Sequence, residues 1–319
     1  MSILFILAGF VILMLGGETL VNGAVAVAKR LNMPPLVIGI VLVGFGTSVP
    51  ELVTSIQASL QGSPGIAIGN VIGSNIANVL LVAGAGAILV PIVADLKGLK
   101  RDGLVLMLAT VMFFAAAYAG GISYGLGLLF TVSLVCYVAY LVMSERRRSR
   151  AHQKTVEVDD DAVSFEKPPK SLATAMIYTI VGIGLTVLGA DFLVRGATEI
   201  ARDMGISETI IGLTIVAIGT SLPELATAVV AGLKGEADVS VGNIIGSNIY
   251  NILAILGITA MIKPLPVDPS VLSFDIWVMA ASSLILVALP FMFKKLGRGT
   301  GIIFLCAYAA YLFALYLMI

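Results

Sequence analysis

The sequence predicts an all-α membrane protein of ten transmembrane helices, arranged as two inverted five-helix repeats. Three observations support this fold class. Hydrophobic residues make up 59% of the 319 residues and charged residues only 12%, which is far more apolar than a soluble domain needs. The 34 glycines let helix backbones approach closely in lipid, which favours a helical bundle over a barrel. A segment of the first half also recurs 173 positions later.

Ten apolar runs are long enough to cross a bilayer, which takes about 20 residues. The predicted spans are Ile3–Ala28, Pro35–Leu60, Gly65–Val90, Leu104–Ala119, Ile122–Met143, Leu172–Ala197, Thr209–Leu233, Val239–Ile262, Val271–Phe293 and Thr300–Ile319. No basic segment precedes the first run, and this run is longer than the core of a signal peptide, so we expect it to be retained.

Basic residues give the orientation, because lysine and arginine collect in cytoplasmic loops. If the N-terminus lies outside, 16 of the 19 basic residues fall inside, and only Arg195, Arg202 and Lys263 fall outside. Both termini are therefore expected to be non-cytoplasmic. A compact chain without a large regulatory loop is typical of prokaryotes, so the expected location is the cytoplasmic (inner) membrane.

The charged segment between the halves, residues 144–170, carries 13 charged side chains in 27 positions. It is expected to be a solvated cytoplasmic linker between a first repeat (1–143) and a second repeat (171–319). A regulatory Ca²⁺ site on its acidic run is the less favoured alternative, because the run lacks the spaced loop that such sites use.

The internal repeat covers residues 39–84 and 212–257, and about half of the residues in its first forty positions are identical. Five predicted spans separate equivalent positions, so the second copy crosses the membrane in the opposite sense, as in many secondary transporters. The same offset pairs Glu18 with Asp191. Their roles stay open, although bonding to a neighbouring helix is the favoured reading.

The first motif, Gly46-Thr47-Ser48-Val49-Pro50-Glu51, places a carboxylate inside an apolar span, which costs several kcal/mol and indicates a functional site. Thr47, Ser48 and Glu51 share one helix face. Pro50 has no N–H, so the helix is expected to kink or break there and free a backbone carbonyl, which is tolerated only beside a cavity or another partner. Hydroxyl, carbonyl and carboxylate oxygens suit hard cations such as Na⁺ and Ca²⁺.

The next span adds a polar stripe of Asn70, Ser74 and Asn78 at four-residue spacing, whereas Asn75 points away and is expected to pack helices, like Asn248 in the second half. The second half repeats each of these features in Thr220, Ser221, Pro223, Glu224, Asn243, Ser247 and Asn251. Two-fold symmetry is expected to bring Glu51 and Glu224 together near the membrane midplane.

Charge balance points to antiport, because one Ca²⁺ neutralises two glutamates and Na⁺ can compete for the same oxygens. Without a cation the two carboxylates would repel and one would protonate, which leaves H⁺ as a competitor. A passive channel fits broken helices in an inverted repeat poorly. An enzyme is not expected, since equivalent glutamates flanked by hydroxyls suit ion coordination better than an asymmetric acid–base pair.

The doubled signature Gly-Thr-Ser-x-Pro-Glu and Gly-Asn-x-Ile-Gly-Ser-Asn-Ile-x-Asn resembles the α-repeats of the Ca²⁺/cation antiporter superfamily, specifically its prokaryotic Na⁺/Ca²⁺ exchanger branch. The resemblance implies Ca²⁺/Na⁺ exchange by alternating access, with H⁺/Ca²⁺ exchange as the alternative. The transported ions and the lipid bilayer are the expected partners, with no cofactor, nucleic acid or obligate protein partner.

Residue by residue, the resemblance implies that Glu51 and Glu224 are the central Ca²⁺ ligands. It implies accessory ligands among the hydroxyls and carbonyls of Thr47, Ser48, Ser74, Thr220, Ser221, Ser247, Gly44 and Ala217. Asn78 and Asn251 complete the expected set. Some relatives, including K⁺-dependent exchangers, carry aspartate at position 251, so asparagine leans toward K⁺-independent exchange. Gly73 and Gly246 stand where the H⁺-coupled branch carries glutamate, which argues against H⁺ coupling.

Overall fold

The computed structural model describes residues 2–89, 92–93, 96–152, 171–205, 217–293 and 295–318, and nearly all of them are helical. The first half contains α1 (Ser2–Leu31), α2 (Pro35–Ile38), a π-helical segment (Gly39–Gly44), α3 (Phe45–Thr47), α4 (Val49–Leu60), α5 (Pro64–Ala77), a second π-helical segment (Asn78–Ala83), α6 (Gly84–Leu89), β1 (Ile92–Val93), α7 (Leu96–Tyr118), β2 (Gly121–Ile122) and α8 (Tyr124–His152). Proline occupies the first or second position of α2, α4 and α5, where its missing N–H costs no helical hydrogen bond.

The second half contains α9 (Leu172–Asp203), α10 (Ala217–Thr220), α11 (Leu222–Leu233), α12 (Ala237–Tyr250), a π-helical segment (Asn251–Leu256), α13 (Gly257–Ile262), β3 (Leu265–Pro266), α14 (Pro269–Ser273), α15 (Asp275–Phe293), β4 (Lys295–Leu296) and α16 (Arg298–Met318). The elements from α11 to α13 begin and end 173 residues after those from α4 to α6. The sequence repeat is therefore also a repeat of local structure.

Eight helices of the described residues are long and apolar enough to cross a membrane. The stretch from α2 to α4 makes a ninth if its two parts, which meet at 42°, form one span. The seventh predicted span, Thr209–Leu233, begins outside the described residues, and only α10 and α11 of it are seen. The full count of ten therefore stays a prediction. Most of the predicted linker also lies outside the described residues, although α8 continues to His152.

α1 and α9 form a tightly packed pair because glycines remove the side chains between them. A Cβ on Gly16 would lie 2.5 Å from the backbone nitrogen of Thr186, and one on Gly23 would lie 2.5 Å from that of Thr179. Partner numbers in α9 fall as residue numbers in α1 rise, so the two helices are antiparallel. α5 and α12 lie in the buried centre, whereas most of α1 and α9 faces outward.

Two short antiparallel ladders connect the halves at their ends. Ile92 of β1 pairs with Leu296 of β4, and Ile122 of β2 pairs with Leu265 of β3. Each ladder therefore joins one strand from each half.

An aspartate–tyrosine hydrogen bond occurs in both halves and is buried in the first and partly buried in the second. The Tyr137 hydroxyl donates to Asp102 at 3.0 Å, and the Tyr311 hydroxyl donates to Asp275 at 3.0 Å. In the first half only, Arg101 bridges Asp102 and Glu145. Asp102 and Asp275 share the 173-residue offset but lie outside the predicted motifs.

Candidate cation site

The helix breaks at equivalent residues in the two halves. Ser48 separates α3 from α4 with φ −86° and ψ 5°, and Ser221 separates α10 from α11 with φ −90° and ψ 5°. Pro50 and Pro223 follow at the second position of the next helix. Each half thus presents backbone and hydroxyl groups at a break, as the motif predicted.

Glu51 and Glu224 lie in the first turns of α4 and α11, where a carboxylate is stabilised by the helix dipole. Each is only 1% exposed, so neither carboxylate points outward to lipid. Ser48, from the first half, donates to Oε1 of Glu224 at 3.3 Å, so the halves meet at this carboxylate.

A backbone carbonyl lies beside the same glutamate. The hydroxyl of Ser247 is 3.3 Å from the Gly44 carbonyl and 3.5 Å from Oε1 of Glu224. Gly44 ends the first π-helical segment, and such widened turns occur frequently at functional sites. Thr47 lies one turn further, with its hydroxyl 3.1 Å from the Val43 carbonyl.

Equivalent asparagines hold the backbone of both glutamates. The side-chain amide of Asn70 donates to the Glu51 carbonyl at 3.1 Å, and that of Asn243 donates to the Glu224 carbonyl at 3.4 Å. The predicted stripe of Asn70, Ser74 and Asn78 therefore begins with a residue that positions a glutamate.

Several buried oxygens of the predicted site have no hydrogen-bond partner within the described structure. These oxygens are Oε2 of Glu51, Oε2 of Glu224, Oγ of Ser74, Oγ of Ser221, Oδ1 of Asn78 and Oδ1 of Asn251. A buried polar atom without a partner is costly and calls for an explanation. Carboxylate, hydroxyl and amide oxygens are donors of the kind that a hard cation takes.

A cavity of about 230 Å³ lies beside α9, next to the second break. Thr220 and Pro223 line it from that break, and Val187 and Asp191 line it from α9. Thr220, the last residue of α10, is thus placed at a space large enough for several water molecules. Ala217 begins α10, and the part its carbonyl plays stays a prediction.

Asn75 contacts a residue of the predicted ligand set, which the sequence analysis did not expect. The Nδ2 group of Asn251 donates to Oδ1 of Asn75 at 3.3 Å. Asn75 also packs against α15 as expected, with Nδ2 3.6 Å from the sulfur of Met279. Asn248 is fully buried in α12.

Glu18 and Asp191 have different partners although they occupy equivalent positions. Nζ of Lys234 lies 2.9 Å from Oε1 of Glu18 and 2.7 Å from Oδ1 of Asn22. Asp191 pairs with Arg195 of its own helix at 2.9 Å. The structure thus gives Glu18 the bond to a neighbouring helix that the sequence favoured, and no sequence pattern revealed its partner Lys234.

Comparison with known proteins places the chain among transporters. Residues 1–143 and 174–317 match the family described as sodium/calcium exchanger protein. The putative antiporter CaxA of Alkalimonas amylolytica is 37% identical over 98% of each chain, and the sodium/calcium exchanger MaX1 of Methanosarcina acetivorans is 34% identical over 99% of this chain and 98% of its own. A solved structure of the sodium-calcium exchanger NCX_Mj superposes with a TM-score of 0.80 at 33% identity, covering 97% of this chain and 96% of that one.

Proposed function

Because this chain belongs to the sodium/calcium exchanger family, we propose that it exchanges Ca²⁺ for Na⁺ across the membrane, by alternating access at one site built from both halves. The chain is an integral membrane protein of many apolar helices.

The observation that carries the proposal is that Glu51 and Glu224 are both buried and that each keeps a carboxylate oxygen without a hydrogen-bond partner in the described structure. Two carboxylates balance the charge of one Ca²⁺, and Na⁺ takes the same oxygen donors. Sites that overlap cannot be filled by both ions at once, and a site that must be filled before it can reorient couples the two fluxes.

The proposed ligand set is the one that the family resemblance implies. Side-chain oxygens would come from Glu51, Glu224, Thr47, Ser48, Ser74, Asn78, Thr220, Ser221, Ser247 and Asn251. The carbonyls of Gly44 and Ala217 would complete the set. For Gly44 the support is its contact with Ser247, which also touches Glu224.

We also propose that the halves form an inverted repeat of ten spans. The antiparallel packing of α1 on α9 supports this, because these helices occupy equivalent places in the two halves. Gly16 meets Thr186, and its equivalent Gly189 meets Leu13, the equivalent of Thr186. Such reciprocal contacts are what a two-fold axis produces.

The two ladders fit the same axis, since β3 is the equivalent of β1 and β4 lies close to the equivalent position of β2. With this arrangement, the basic residues favour non-cytoplasmic termini and a cytoplasmic linker (144–170) in a prokaryotic inner membrane.

The decisive experiment measures ⁴⁵Ca²⁺ uptake into proteoliposomes, with Na⁺, K⁺ and H⁺ gradients imposed separately and the membrane voltage clamped with an ionophore. We expect uptake into Na⁺-loaded vesicles and none when only a K⁺ or a pH gradient is present. Uptake driven by a pH gradient without Na⁺ would establish the alternative, H⁺/Ca²⁺ exchange.

A further inference from the structure

Lys234, the residue that follows α11, ties this helix to α1. Its ammonium group reaches two side chains of α1, Glu18 at 2.9 Å and Asn22 at 2.7 Å. Lys234 is 19% exposed and Glu18 39%, so the contact is partly shielded from solvent. Glu18 and Asn22 lie one turn apart, so the lysine makes two contacts with the same face of α1.

The contact belongs to a larger asymmetry between the halves. α1 lies along α11, where a Cβ on Gly17 would be 3.2 Å from Val230. The repeat would place α9 along α4 in the same way. α9 and α4, both fully described, touch at most marginally. The α1–α9 pair thus packs along α11 but only marginally against α4, although α1 contacts α2 and α9 contacts α3.

Pro50 of α4 also lines the cavity of about 230 Å³, so this space lies where α9 and α4 are separated. Asp191, the equivalent of Glu18, lines it and bonds to Arg195 within its own helix. The cavity reaches Thr220 and Pro223 at the second helix break, beside Glu224. The Asp191 face therefore leads toward the proposed site, and the Glu18 face is closed by the Lys234 bridge.

Exchanging the conformations of the two halves would open the other face. α9 would then lie along α4, and the cavity would be lined by Glu18, Met14 and Thr47, the equivalents of Asp191, Val187 and Thr220. In that arrangement Asp191 would meet residue 61, the equivalent of Lys234. This residue is the exposed and uncharged Gln61. Only one of the two closed faces can therefore form an ion pair.

We propose that Lys234 is a positioning residue for transport. Its bridge to Glu18 and Asn22 favours the state in which the cavity opens beside Asp191, and this Asp191-facing state is therefore the more populated one. The inference rests on the proposed antiport. A partly exposed ion pair changes an equilibrium by about two- to five-fold. The apparent affinity measured from each face scales with the fraction of molecules that face it.

The first test measures the less populated state without transport. The exposed cysteines Cys136 and Cys306 are first replaced by alanine. In this background, the reaction of Met14→Cys with a membrane-impermeant thiol reagent reports opening of the Glu18 face. We expect Lys234→Gln to raise its labelling rate about two- to five-fold, because the rate is proportional to a minor population. Val187→Cys should be labelled from the opposite face.

Three further variants separate position from general damage. Gln61→Lys should also raise Met14→Cys labelling, because it creates an ion pair with Asp191 in the other state. The double variant Glu18→Lys with Lys234→Glu should restore the original labelling rate of Met14→Cys, since Asn22 can turn its amide to donate to the new glutamate. Lys263→Gln, at an exposed lysine remote from α1, should change nothing.

The second test uses Ca²⁺ flux measured from each face in oriented vesicles. In Lys234→Gln, the half-saturating Ca²⁺ concentration should fall on the Glu18 face and rise on the Asp191 face. A merely structural defect would move both in the same direction or lower only the maximal rate.

Two results would overturn the inference: Met14→Cys labelling that neither Lys234→Gln nor Gln61→Lys changes, or half-saturation values that move together. A wild-type chain with no Na⁺-driven Ca²⁺ flux would instead overturn the proposed function, and the labelling result would still decide the role of Lys234.

Discussion

The burial of Glu51 and Glu224 does not stabilise the fold and therefore calls for another explanation. Removing two carboxylates from water is costly, and the hydrogen bonds of Ser48 and Ser247 to Glu224 offset this cost only in part. Each glutamate keeps one carboxylate oxygen without a partner in the described structure. A cation that binds both would remove this cost, so charge is expected to matter more here than shape.

Glu51→Gln and Glu224→Gln should each abolish Ca²⁺ flux while the protein still folds, because glutamine fills the same space without the charge. ⁴⁵Ca²⁺ uptake into Na⁺-loaded vesicles measures the loss, and size-exclusion chromatography checks folding. Glu199→Gln, at an exposed glutamate, serves as the control and should transport normally. Normal uptake by either site variant would refute the assignment.

Asn75→Leu should weaken Ca²⁺ binding about tenfold, the lower range for groups that orient a metal ligand. The substitution removes the oxygen that holds the Asn251 amide, so the Asn251 oxygen is no longer directed. Asn248→Leu is the matched control, because no hydrogen bond joins Asn248 to a predicted ligand in the described structure. Equal effects of the two changes on half-saturating Ca²⁺ would show that the contact with Asn251 is not the cause.

The predictability of individual residues depended on how far their partners lie along the chain. The glutamates and the neighbouring hydroxyls could be chosen because the motif occurs twice, and the structure buries both glutamates at the junction of the halves. The partners of Asn75 and Glu18 could not, because Asn251 and Lys234 come from the other half and depend on how the halves pack.

At the level of elements, each helix break depends on more than its proline. Pro50 stands at the second position of α4, where no helical hydrogen bond is lost, and Ser48 already departs from helical geometry. Proline therefore stabilises the beginning of α4 more than it causes the break.

Pro50→Ala should consequently reduce transport less than Glu51→Gln does. Alanine permits a continuous helix but leaves the carboxylates in place. Initial ⁴⁵Ca²⁺ uptake rates of the two variants, measured side by side, test this order. An equal or greater loss in Pro50→Ala would mean that the break matters more than the charge.

Gly16→Ala should destabilise the protein by about 1 to 3 kcal/mol, the usual cost of overpacking. Its Cβ would lie 2.5 Å from the backbone nitrogen of Thr186, which cannot move without shifting α9. Gly184→Ala, on an open and exposed position of α9, should be neutral or slightly stabilising. Thermal unfolding in detergent measures both, and equal melting temperatures would contradict the packing argument.

Some elements were not predictable from local sequence. The length of the apolar runs placed the helices well, since Ile3–Ala28 lies within α1 and Leu172–Ala197 within α9. The π-helical segments gave no signal, because their widened turns use the same apolar residues as α-helix. The two-residue ladders were also missed, since their pairing depends on tertiary contacts alone.

For the whole molecule, a shared site implies that ions stabilise both halves together. We expect saturating Ca²⁺ to raise the melting temperature, since ligand at 100 times its dissociation constant adds about 2.7 kcal/mol. Na⁺ should reduce the shift by competition, and Glu224→Gln should show none. A shift of wild-type size in Glu224→Gln would place the ion elsewhere.

The overall architecture was largely predictable because composition, repeat and charge agree. Membrane class follows from apolar content, and the family follows from the doubled motif around Glu51 and Glu224. The face toward which the site opens was not predictable, because it depends on small differences between the halves, such as Lys234 in place of the equivalent Gln61. The repeat is recognised from the residues that the halves share, so positions at which they differ carry no signal.

The ladders between the halves have a consequence for biosynthesis. Val93 finds its partner Lys295 only after about 200 more residues have been translated. At common elongation rates this takes about 10 to 40 seconds. During that interval Glu51 waits in the bilayer without the second half, so the nascent chain passes through a stage that membrane proteases and insertion chaperones can recognise. Ribosome speed over the second half should therefore influence the yield of intact transporter.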